Sequence, residues 1–162
     1  MAKEDKLDRS SGKRDLNKYM SIIVTIITVT MALYHLYTAR YGTPVALKHR
    51  SLHVGFVFVL IFIIYPFNKS KKKYVKFVDL GFILMSIYST WYIWNNYISI
   101  VRRAGMPIQK DIIIGIITIL LVLEAARRVM GNVLPMIGVV FFLYSMYGNL
   151  LSGRLAHRGF AL

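Results

Sequence analysis

The chain has 162 residues, 56% of them hydrophobic and 17% charged, against roughly a quarter charged in soluble domains, which leaves no room within it for a separate soluble domain. It has no cysteine, which excludes disulfides, thiol nucleophiles and thiolate metal sites. The 21 Lys and Arg against 7 Asp and Glu, a formal net charge of +14, sit in the gaps between apolar runs rather than on one soluble face, a pattern that speaks for membrane topology and lipid headgroups and against nucleic acid.

Residues 1–18 form a polar tail, expected in the cytosol. The first apolar stretch, 20–37, is longer than a signal-peptide core and ends in Tyr34-His35-Leu36-Tyr37 rather than in small residues, so a retained span is expected. It is rich in Ile, Val and Thr, but in lipid every backbone group needs an internal partner, so an isolated span must be helical. A second stretch, 52–67, closes at Pro66, where a helix cannot continue unbroken. The basic link NKSKKKYVK follows, with Lys69, Lys71, Lys72, Lys73 and Lys76, read as an anchor on anionic lipid headgroups. The third stretch, 77–100, contains Asp79, read as an interface anchor, and ends among Trp91, Tyr92, Trp94 and Tyr97, rings of the kind that gather at membrane–water interfaces. The fourth and fifth, 112–130 and 133–151, are separated by Gly131-Asn132, and a short tail covers 153–162.

At about 1.5 Å per residue each stretch is roughly long enough for a hydrocarbon core of about 30 Å, the second and fourth being the shortest fits. The expected fold is all-α, a polytopic membrane helix bundle of about five transmembrane helices. Lys and Arg number six, five and two on the segments that an inside N-terminus places inside, and three, three and two on the others. That bias predicts N-in, C-out.

Glu124 is the acid deepest in an apolar run, where a charge costs roughly 2.5–3.5 kcal/mol. Arg127 and Arg128 follow it by three and four residues, the spacings that put opposite charges on one helix face. The trio admits three roles: an interfacial anchor, with the arginines reaching the headgroups; a patch that docks another membrane segment; or, least expected because no second intramembrane carboxylate shares the load, a direct part in ion transport. His49 and His53 are four apart, a spacing that can hold a metal, but no third ligand stands near them in sequence and no metal site is expected. Nothing resembles a phosphate loop, a Ser–His–Asp set or a paired-carboxylate site. Asp111 and Glu124 stand about 20 Å apart along one helix. No enzyme activity and no catalytic residue are expected.

From Arg103 the sequence RAGMPIQKDIIIGIITILLVLEAARRVMGNVLPMIGVVFFLYSMYG, followed by LAHRGF, resembles the N-terminal region of fused permeases of tripartite ATP-independent periplasmic (TRAP) transporters, the type that works with TAXI-class binding proteins. The earlier LHVGFVFVLIFIIYP is similar to a segment of the same family, and the likeness covers roughly residues 50–160. The resemblance implies a part in sodium-driven uptake of small organic acids, with a large permease and a periplasmic TAXI-type binding protein as partners. It implies a small-permease region that braces the large one, which carries the substrate and sodium sites and moves as an elevator. The chain stops at Leu162, before any large-permease segment, so no complete transport site and no cofactor are expected in it. The expected location is a bacterial or archaeal cytoplasmic membrane. The rival from another class is a free-standing membrane anchor or assembly protein without a transport role.

Overall fold

A computed structural model describes residues 12–68, 73–103 and 105–150. Among these the chain is all-α: α1 (Lys18–Tyr41), α2 (Ala46–Ile64), α3 (Lys73–Arg102), α4 (Gln109–Met130) and α5 (Val133–Tyr147), with a 3-10 turn at Gly148–Leu150. The polar tail up to residue 11, the tail 153–162 and the lysines Lys69, Lys71 and Lys72 lie outside the described residues; Lys73 opens α3 and Lys76 is exposed.

Each helix differs from its apolar run in where it starts or stops. A helix satisfies its own backbone whether its side chains face lipid or headgroups, so α1 to α4 begin in polar flanks that an apolar run does not count. By contrast, α2 stops at Ile64, just before Pro66, and α5 gives way at Tyr147 to the 3-10 turn. The largest extension is in α2, which begins at Ala46 rather than near residue 52 and so carries His49 as well as His53. α1 starts where the Asn17 side chain accepts from the Met20 N–H at 2.9 Å. Thr25, Thr28 and Thr30 donate to the carbonyls of Ser21, Val24 and Ile26, so these hydroxyls are paired without water. Gly131, at φ +79°, ends α4 in a backbone region that favours glycine and turns the chain into α5.

Four segments, α1, α2, α3 and α5 together with the 3-10 turn to Leu150, are long and apolar enough to cross a membrane. α4 is long enough, 22 residues or about 33 Å, but any 18-residue window of it holds at least three of Lys110, Asp111, Glu124, Arg127 and Arg128.

The bundle is built on α2 and α3, whose close approach is set by Gly55: a Cβ there would stand 2.4 Å from Thr90 Oγ1. α4 covers this pair. Phe58 and Phe62 of α2 and Leu121 and Ala125 of α4 form the buried core, with Phe82 and Ile83 of α3 packed against it. Ser89 of α3 and Thr118 of α4 meet at 2.6 Å between their hydroxyls. The outer two helices are barely enclosed. α1 buries only Thr38 and α5 buries no residue.

Candidate functional site

The i+3 and i+4 spacings from Glu124 produce the pairing that one helix face allows. Arg127 forks onto the carboxylate, Nε to Oε2 at 2.7 Å and Nη2 to Oε1 at 2.8 Å, and Arg128 Nε donates to Oε1 at 2.7 Å. The two arginines then diverge. Arg127, 37% exposed along its side chain, stays at the surface, donates to the Phe67 carbonyl at 3.3 Å and lies over the Phe67 ring.

Arg128 turns inward, with its side chain 1% exposed. Its Nη1 donates to Asp79 Oδ1 at 2.7 Å and to the Tyr65 carbonyl at 2.9 Å. Its guanidinium carbon stands 4.8 Å from the Phe62 ring centre, 4.9 Å from Phe82 and 5.6 Å from Phe67. Nη2 has no hydrogen-bond acceptor among the described residues. The three aromatic quadrupoles around the cation compensate part of that loss, each worth up to about 2 kcal/mol when desolvated.

Asp79 completes the cluster. It is 2% exposed, because α3 starts at Lys73 and carries it into the second turn, against the end of α2 and Arg128 of α4. It accepts from Arg128, from the Phe67 N–H at 3.0 Å and from Arg14, whose own N–H donates to the Ile64 carbonyl at 2.8 Å. Arg14, Asp79, Arg128, Glu124 and Arg127 therefore form one chain of contacts. It ties the segment before α1, the end of α2, the start of α3 and the end of α4 at a single end of the bundle. Three cations face two carboxylates, a net charge of +1. Buried pairs recover their desolvation cost only when the remaining donors and acceptors are also satisfied; here, among the described residues, backbone carbonyls and aromatic rings do so for all but Arg128 Nη2.

A smaller cluster sits at the opposite end. Asp111 accepts from Arg103 Nη2 at 2.9 Å, from the Tyr92 hydroxyl at 2.7 Å and from the Ile108 N–H at 3.3 Å. Of the aromatic set, Trp91 faces outward, 60% exposed. Tyr92 is buried and serves Asp111, while Trp94 and Tyr97 lie under the Lys48 ammonium at 4.7 and 4.2 Å.

The histidines gain a partner that their spacing in sequence does not show. His35 Nε2 is 3.0 Å from His53 Nδ1, and the Tyr34 hydroxyl is 3.1 Å from His49 Nδ1. The register of the α1–α2 hairpin was a usable signal: folding back around residues 42–45 sets 35 opposite 53. Among the described residues no three His, Asp or Glu side chains converge on a common metal position.

Comparison with protein-family models, curated proteins and solved structures gives no match. What the structure shows is a helical, multi-pass type of chain whose two outer helices are largely unburied, locked at one end by a buried ion cluster.

Proposed function

We propose that this chain is the small-permease, bracing part of a sodium-driven TRAP-type importer of small organic acids. It works with a large permease and a periplasmic TAXI-type binding protein, in a bacterial or archaeal cytoplasmic membrane, with its N-terminus inside. The observation that carries the proposal is the motif order from RAGMP through LEAARR to LP and HRGF.

The geometry supports it in three ways. The LEAARR arginines are held in a network that stiffens the bundle, as a brace requires, and Arg127 keeps an edge at the surface. α5 is apolar on every side and buries nothing, which suits a helix covered by another membrane protein. Polar side chains at mid-bundle, Ser86, Ser89 and Thr118, are spent on one another or on backbone carbonyls, so they offer no ion path. Sodium and substrate sites are assigned to the large permease.

Co-expression with a large permease encoded beside this chain tests the proposal. The two are expected to co-purify in mild detergent, and Arg127→Gln is expected to weaken the complex. A large permease that assembles and transports at full rate without this chain would overturn the proposal. Co-purification without any effect on uptake would leave a membrane anchor or assembly protein.

A further inference from the structure

An open groove of about 850 Å³ runs along α4 between α3 and α5, walled by Ile114, Ile119, Leu123, Gly138, Val139 and Phe142. One end is closed by Tyr92 and Asp111. From Asp111 to Leu123 it extends about 18 Å along the helix axis, close to the depth of one leaflet of a core about 30 Å thick. Its walls are apolar over that depth apart from Thr118, whose hydroxyl is bonded to Ser89 and to the Ile114 carbonyl. The other polar groups gather at the Asp111 end.

That end is basic. Lys110 precedes Asp111, and Arg102 and Arg103 follow Ile100, another wall residue. Lys48 follows the wall residue Leu47 and is held over Trp94 and Tyr97. Asp111 is already engaged by Arg103, so Arg102 and Lys110, both exposed, are uncompensated by it. The groove is open along its length, so a chain can enter it from the lipid side, and the basic rim at one end matches an anionic headgroup. A flexible hydrocarbon chain can follow its floor.

We infer that the groove holds an acyl chain of an anionic glycerophospholipid, with the headgroup phosphate on the Arg102–Lys110 rim. This site lies at the end opposite the Arg128 cluster and is separate from the lysine-rich link. It fills the gap that leaves α5 with one neighbour, so the lipid acts as part of the packing between α3, α4 and α5. The inference does not depend on the transport proposal, since it concerns the isolated chain.

Native mass spectrometry of the purified chain from micelles doped equally with phosphatidylglycerol and phosphatidylcholine tests it. One phosphatidylglycerol is expected to stay bound. Gly115→Trp, where an added side chain meets open space, and Val139→Trp, as an independent second variant, are each expected to lower its occupancy about tenfold by filling the groove. Arg102→Gln with Lys110→Gln is expected to lower the preference for phosphatidylglycerol about 25-fold, at about fivefold for each basic residue at a headgroup. The inference falls if the unaltered chain retains no phosphatidylglycerol, or if both tryptophan variants retain as much as it does. An unchanged headgroup preference in the double glutamine variant removes the phosphate rim. Disulfide-linked dimers of the Ile119→Cys chain would show that a second copy fills the groove, and would also overturn it.

Discussion

Arg128→Gln isolates what the ion cluster contributes. Removing this one cation leaves Arg14 and Arg127 against Asp79 and Glu124, a balanced set, so net charge alone predicts little harm. The contacts predict otherwise. Arg128 is the residue that bonds both carboxylates, Asp79 of α3 and Glu124 of α4, and it also satisfies the Tyr65 carbonyl at the end of α2. Its side chain is 1% exposed, so breaking the pair leaves groups that water cannot reach, a loss of about 3–5 kcal/mol. The three aromatic contacts disappear as well. Arg127→Gln removes the same charge from the same carboxylate, but at a partly exposed site and within one helix, where a pair is worth about 0–1 kcal/mol. Unfolding by SDS titration, followed by far-ultraviolet circular dichroism, compares the two. Arg128→Gln is expected to lose several times more stability than Arg127→Gln, and Arg128→Lys to recover only part, because an ammonium lacks the planar fork. Equal losses for the two glutamine variants would refute the inward-facing role of Arg128.

Further outcomes follow from single contacts. Gly55→Ala places a Cβ 2.4 Å from Thr90 Oγ1 and is expected to cost about 1–3 kcal/mol in the same titration, with partial rescue by Thr90→Ala, which deletes the two nearest atoms. The chain has no cysteine, so Asn68→Cys and Met106→Cys can be labelled singly, and an impermeant thiol reagent is expected to reach Met106→Cys alone from outside intact cells. Labelling of both from outside would reverse or break the assigned topology. Replacing Lys69, Lys71, Lys72, Lys73 and Lys76 with Gln is expected to lower correct insertion, at about 1 kcal/mol per residue near an anionic surface. Normal insertion with lost uptake would give the link a functional role instead.

The helices and the Glu124 pairing were legible in the sequence because both depend on local spacing: apolar runs of membrane length, and charges three and four residues apart. The destination of Arg128 was not, since Asp79 lies 49 residues away and its burial depends on α3 starting at Lys73, among residues that carry no apolar signal. Arg14 was hidden for the same reason, lying in a polar tail whose composition gives no hint of a buried partner. His35 could have been placed against His53 by folding the hairpin at 42–45, but only with α2 extended to Ala46. The charges of α4 illustrate the limit of composition: its apolar residues suit a span and its charge count argues against one, yet Glu124, Arg128 and Asp111 are all paired with opposite charges in the bundle, which removes much of the cost of placing them in a membrane.

The proposed bracing role is tested most directly by uptake into sealed vesicles. The large permease is reconstituted with or without this chain, under an inward sodium gradient, with the binding protein and its organic-acid ligand outside. Uptake is expected only when both chains are present and the sodium gradient is intact, and to fall with Arg128→Gln. Full sodium-driven uptake by the large permease alone would contradict it.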